Sequence, residues 1–276
     1  MPATPDPPAP ERPVALVTGG CSGIGRAIAG RLAARGHDLV LVSERADRLE
    51  EAAAALRRDH GVRVHAECVD LARPGAAGEV HSRVASIGVP VAVLVNNAGF
   101  FFFGEAVDAP PERAAALLEL HVVTPSLLCA LFGREMRARR RGRILLVSSI
   151  SAWRDFPGIA HYGASKRYLR GFARSLRSEM RPYGVTVTCL APGPVATGLY
   201  GHDSPQVRRG RRLGLFLEPD RVGEAAVRAL LRGDAECIPG LSARLMAWGS
   251  ALAPQWVVDL VRRRGPWMGP GAQGPR

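Results

Sequence analysis

The chain has 276 residues, 47% of them hydrophobic and 22% charged, which supports a sizeable core and excludes wholesale disorder. The formal net charge of +12 raises nucleic-acid binding. However, the arginines gather at 137–143, 208–212 and 262–264, Lys166 is the single lysine, and no zinc-finger, basic-zipper or aromatic ribonucleoprotein pattern accompanies them. The charge therefore reads as solvated faces and loop ends, and neither a nucleic-acid partner nor a metal site is expected. No uninterrupted apolar stretch reaches the ~18 residues of a membrane span. Residues 1–12 are proline-rich, without a basic or apolar signal region, and read as a flexible tail. The five cysteines (Cys21, Cys68, Cys129, Cys189 and Cys237) are dispersed, which points to reduced thiols and a cytoplasmic location.

In chain order, an apolar strand at Val14–Thr18 runs into glycines and a helix over 24–35, stopped by Gly36. A strand at 39–43, a helix at Ala46–His60 ended by Gly61, and a strand at 62–69 follow. The pattern continues with a weaker helix over 75–86, a strand at 91–95, one long helix over 113–139 and a strand at 144–148. A helix over 160–181, a strand at Val185–Leu190, a helix over 220–231 and a short strand near Cys237 complete it. Repeated β-α units with right-handed crossovers predict a doubly wound α/β fold, a parallel sheet of about seven strands with helices on both faces. One domain over 13–240 is expected, with a C-terminal extension over 241–276. The composition of 201–217 suggests a mobile loop, and 265–276 should fray.

Residues 18–25 read T-G-G-C-S-G-I-G directly after the first strand and at the opening of the first helix. Gly19 permits a tight turn, Gly23 a close backbone approach to a pyrophosphate, and Gly25 packing of the helix on the sheet. The helix N-terminus offers free N–H groups to phosphate. This is the Rossmann arrangement for a dinucleotide.

The spacing resembles the short-chain dehydrogenase/reductase family over roughly 13–240, and the resemblance implies NAD or NADP as cofactor. It places Thr18, Gly19, Cys21, Ser22, Gly23, Ile24 and Gly25 in the cofactor loop, and Asp70 with Leu71 at the adenine. Asn97, Ala98 and Gly99 of N-N-A-G would line the cleft, and Pro192, Gly193, Val195 and Thr197 would flank the nicotinamide carboxamide. At the end of the second strand, Ser43 replaces the acid usual for NAD, Glu44 replaces the arginine usual for NADP, and Arg45 is free to swing toward a 2′-phosphate. The preference between NAD and NADP stays open.

Tyr162 and Lys166 lie four apart on one helix face, and Ser149 precedes Tyr162 by thirteen residues, matching the family's Ser-Tyr-Lys spacing. A free phenol titrates near ~10, and a neighbouring ammonium favours its anion. Tyr162 would give or take the substrate's hydroxyl proton, and Ser149 would orient the oxygen on which charge grows. By the resemblance, Lys166 would also hold the nicotinamide ribose. His121 stands where the family carries an asparagine whose backbone carbonyl holds a relay water. Pro125 lacks the N–H that would bond that carbonyl and should bend the helix, leaving His121 a working catalytic member.

By the resemblance, Phe100, Phe101, Phe102, Phe103, Trp153, Phe156 and His161 border the substrate cleft. An apolar or ring-containing carbonyl or alcohol is therefore expected. Residues 241–261 carry Trp248 and Trp256 and are read as a subunit contact of a homodimer or homotetramer, with no membrane-surface role. The expected function is NAD(P)-dependent oxidoreduction. The alternatives are a non-catalytic nucleotide-sensing or interaction protein, and a Rossmann methyltransferase, in which Tyr162 and Lys166 would have no purpose.

Overall fold

The computed structural model describes residues 12–197, 216–252, 254, 256 and 258–260. Its strands are β1 (Val14–Thr18), β2 (Asp38–Ser43), β3 (Val64–Cys68), β4 (Val91–Asn96), β5 (Gly142–Val147), β6 (Val185–Leu190) and β7 (Glu236–Cys237). All pair in parallel, in the order β3-β2-β1-β4-β5-β6-β7. The order reverses between β1 and β4, so the crossovers leave in opposite directions and open a crevice at the strands' C-terminal ends.

The helices are α1 (Gly23–Ala33), α2 (Ala46–His60), α3 (Ala76–Ile87), α4 (Pro111–Leu118), α5 (Thr124–Ala138), α6 (Ala160–Met180), α7 (Pro219–Arg232) and α8 (Leu241–Leu252). Side chains of β1 alternate between two cores, as the pleat requires. Val14 and Leu16 share one core with Leu128, Phe132 and Leu169 of α5 and α6, whereas Ala15 and Val17 share the other with Ile28, Leu49 and Val222 of α1, α2 and α7. Continuous apolar strands thus follow from burial on both faces. Gly61 ends α2 in the left-handed conformation (φ 60°), which spares the helix a Cβ penalty.

The expected fold and element order are observed, with most boundaries moved by one or two residues. The single helix expected over 113–139 is a correction: α4 and α5 are separated by a π turn at Glu119–Val123. There Thr124 N–H reaches back to the carbonyl of Glu119. Pro125 sits in the first turn of α5, where its ring cannot pack against an α-helical carbonyl four residues earlier, so the turn widens upstream of it. Pro111–Ala138 is also long and apolar enough by composition to cross a membrane. In the fold it is interrupted by the π turn, and Leu128, Cys129, Phe132 and Met136 of α5 fill the core over β4 and β5.

Of the loop expected at 201–217, only Phe216 and Leu217 are described, and Leu217 bridges to Val195. The tail, apart from Arg12, and the fraying expected over 265–276 lie outside the described residues.

Candidate functional site

The cleft at the switch point has a volume of 1170 Å³ and runs from Arg45 and Arg48 past the glycine loop to Ser149 and Tyr162. Gly23, at φ +53°, opens α1, and a Cβ there would stand 3.1 Å from Thr197 Cγ2, narrowing the gap between the loop and Thr197. A glycine-lined gap over a helix N-terminus fits a pyrophosphate, so the residues present suit a dinucleotide.

Every residue named above for the cofactor lines this cleft except Thr18 and Gly25, which stand just behind it. Thr18 ends the central strand facing inward and is 2% exposed. Its Oγ1 accepts from the amides of Asn97 (2.9 Å) and Ala98 (3.0 Å) and donates to the carbonyl of Val95 (3.3 Å). A Cβ on Gly25 would run into the carbonyl oxygen of Gly19, so Gly25 provides the close packing expected of it. Asn97 completes the brace: its Nδ2 donates to the carbonyls of Thr18 (3.0 Å) and Gly19 (3.3 Å). The N-N-A-G segment therefore locks the glycine loop from beneath.

At the end of the cleft expected to take the adenosine, Ser43 Oγ lies 3.2 Å from Cys21 Sγ and accepts from the amide of Arg45 (3.3 Å). Arg48, one turn along α2 from Arg45, and Arg26 on α1 also line this end. Neither stood out in an arginine-rich sequence, although a spacing of three on a helix is the signal that joins Arg48 to Arg45. Asp70 anchors its own turn through the amide of Ala72 (2.8 Å).

At the other end, Ser149 follows β5, where its Oγ caps a short 3₁₀ turn by accepting from the amide of Ser151 (3.1 Å). Tyr162 and Lys166 enter from the first turns of α6, 8% and 5% exposed. Lys166 Nζ donates to the carbonyl of Val147 (3.0 Å) and lies 5.6 Å from the centre of the Tyr162 ring. Burial pushes the Lys166 ammonium down to about 8, against a smaller raising effect from Cys189. An ammonium this poorly hydrated exerts a stronger field on a neighbouring phenol than one in water.

His121 belongs to the π turn and is 1% exposed. Its Nε2 accepts from the amide of Phe100 (3.2 Å), which leaves the ring proton on Nδ1, 2.9 Å from Ser165 Oγ. Ser165 in turn donates to the carbonyl of Tyr162 (2.8 Å). Burial, and then the charge of Lys166, hold His121 well below the ordinary imidazole range, in the neutral form this chain of bonds requires. Gly99 is a glycine for the same reason, since a Cβ there would stand 2.7 Å from His121 Nε2. Ser165 had given no sequence signal beyond a helix face.

Phe101 meets the Tyr162 ring edge-on at 4.9 Å and Phe103 at 4.5 Å, building an aromatic wall beside the phenol. Trp153, Phe156 and His161 do not line the cleft, contrary to expectation. Trp153 lies beneath the Arg170 guanidinium (3.8 Å), Phe156 is 36% exposed, and the His161 ring is 6.3 Å from that of Phe102. Adjacency in sequence to Ser149 and Tyr162 did not translate into adjacency at the cleft.

Residues 13–207 match the family described as short chain dehydrogenase. Dehydrogenase/reductase SDR family member 7B of Bos taurus is 35% identical over 191 residues, covering 67% of this chain. The match spans only 59% of that relative's own length. Among solved structures, a short-chain dehydrogenase from Sphingobium yanoikuyae in complex with NADPH superposes with a TM-score of 0.77 at 30% identity, covering 95% of this chain and 98% of that one. L-Sorbose reductase from Gluconobacter frateurii, complexed with NADPH and L-sorbose, gives 0.74 at 28% identity over 84% and 97% of the two chains.

Proposed function

This chain belongs to the short-chain dehydrogenase family, and from that membership we propose that it is an NAD(P)-dependent oxidoreductase acting on the carbonyl or secondary alcohol carbon of an apolar small molecule. The observation that carries the reading is the meeting of Ser149, Tyr162 and buried Lys166 in the same cleft as the glycine loop. A bound nicotinamide would supply or accept the hydride. Tyr162 then gives the proton to the substrate oxygen in reduction, or takes it in oxidation, while the Lys166 ammonium favours the phenolate that proton transfer creates. Ser149 holds the oxygen by a hydrogen bond that strengthens as charge develops. Phe101 and Phe103 give the substrate an apolar wall.

His121 supports turnover in two ways in this reading. Its ring joins the Phe100 segment to the catalytic helix, and Pro125 offers its carbonyl no amide, keeping that oxygen available to a relay water. The non-catalytic alternative leaned on His121 as a departure, and the ring's place in the hydrogen-bonded site takes that support away. The deciding test is titration with NADH and NADPH followed by turnover over a panel of ketones and alcohols. Dinucleotide binding with turnover is the expected result, and binding without turnover of any substrate would count for the nucleotide-sensing alternative.

The cofactor is proposed to be NADPH, since Arg45, Arg48 and Arg26 line the adenosine end and outweigh the charge of Glu44 there, and Ser43 replaces the acid usual for NAD. Replacing Arg45 with alanine is expected to raise KM for NADPH about tenfold and to leave that for NADH within about twofold, as befits one charged hydrogen bond. An equal rise for both dinucleotides would assign Arg45 a different role.

A homodimer or homotetramer is proposed on Leu118, Val123, Leu127 and Tyr168, which remain 40–46% exposed on α4, the π turn, α5 and α6. The extension from 241 adds Leu241, Leu245 and Trp248, 66–72% exposed on α8, as a further subunit surface. All five cysteines are free thiols, which supports the cytoplasm as the compartment.

A further inference from the structure

Arg113 stands in the first turn of α4, half-buried, with its guanidinium carbon 4.9 Å from the centre of the Phe102 ring. It lines the cleft at the end that holds the phenylalanines and Tyr162. Among the described residues no carboxylate lies within ion-pair distance of Arg113, and no hydrogen bond engages it. Arg170 makes a useful contrast, because it too stacks on an aromatic ring, that of Trp153, but Glu236 neutralises it at 2.7 Å. An arginine spread on a ring face is pinned in orientation with its N–H edge left over for a partner. At Arg113 the ring supplies the pin, and the described residues supply no partner.

We propose that Arg113 binds a carboxylate on the substrate, so that the preferred substrates are apolar ketones or alcohols carrying an acid remote from the reacting carbon. The proposal deepens the oxidoreductase reading and rests on it. Apolar walls weaken the hydration that competes for both charges, and the planar guanidinium edge matches the two oxygens of a carboxylate. A carboxylate held there also leaves the apolar body of the substrate lying along the phenylalanines, which points its carbonyl toward Ser149 and Tyr162.

The test uses aryl ketones bearing a terminal carboxylate on tethers of increasing length, each beside its methyl ester, with wild type, Arg113→Gln and Arg113→Lys. At the best tether the wild type should favour acid over ester roughly tenfold to a hundredfold in kcat/KM, expressed in KM, as a charged hydrogen-bonded pair allows. Arg113→Gln should lose that preference while its ester turnover stays within about twofold, and Arg113→Lys should keep part of it. No acid preference at any tether, or the same preference in Arg113→Gln, overturns the proposal while ester turnover leaves the oxidoreductase reading intact. If no ketone turns over, that reading fails by itself. Calorimetric titration of acid and ester into the NADP-loaded proteins then decides the role of Arg113: tighter acid binding lost in Arg113→Gln supports it, and equal binding overturns it.

Discussion

Tyr162→Phe is expected to lower turnover by about a thousandfold, within the range that one positioned acid–base group contributes. The substitution removes a single oxygen. The ring keeps its edge-on contact with Phe101 and its place above Lys166, so the cleft's shape survives. Dinucleotide affinity, read by fluorescence titration, should therefore stay within about twofold while steady-state reduction collapses. The loss should appear in kcat, since a proton transfer absent from the transition state is not repaired by more substrate. A variant retaining a tenth of the activity would remove Tyr162 from the proton-transfer role and with it the mechanism proposed above.

The second large effect is expected at His121. Replacing it with leucine leaves the Phe100 amide and the Ser165 hydroxyl without their shared partner, at a cost of about 2–4 kcal/mol. In a chain of this size that corresponds to a fall in Tm of roughly 3–7 °C. Turnover should drop about tenfold to a hundredfold, because the Phe100 segment and the Tyr162 turn lose their common tie and small displacements at a reacting centre are expensive. His121→Asn retains one donor and one acceptor and should recover most of the stability and part of kcat. A leucine variant with wild-type melting and kcat would show that the imidazole is only packing.

The same residue sets a pH dependence. His121 is held neutral in the fold, chiefly by burial, whereas in the unfolded chain it titrates near the ordinary ~6.5. Below that pH the unfolded chain takes up a proton that the fold refuses, so stability is complete above the unfolded value and declines as the solution is acidified. His37 is shifted in the same direction, mainly by burial, so the decline should be shallower in His121→Asn but not absent. Denaturant unfolding at a series of pH values measures the slope directly.

Much of this site was legible before the fold was known, for reasons that differ from residue to residue. The glycine loop and the strands are readable because backbone geometry and two-sided burial each demand particular residues locally. Gly61 and Pro125 are similarly explicit, but hydrophobic periodicity cannot reveal the extra residue of a π turn, and the expected long helix was in fact two. The packing role of Gly25 follows from its place in the motif, whereas the inward turn of Thr18 depends on the pleat of the strand it ends. The bond from His121 to Ser165 joins residues 44 apart by a contact no spacing records. Arg48 and Arg113 were hidden for a simpler reason: one more arginine carries little information in a chain with 37 basic residues.

The π turn at Glu119–Val123 has a consequence for how this chain can change over generations. Each residue of a helix turns the chain by about 100° and advances it about 1.5 Å. Losing any one of these five would restore a regular helix, yet it would swing the His121 ring away from Phe100 and Ser165 in a single step. Homologues can try other side chains at this place one at a time, but they cannot shorten the segment gradually. A gap aligned across 119–123 should therefore mark lineages that have abandoned the reaction, whatever they retain at Ser149, Tyr162 and Lys166.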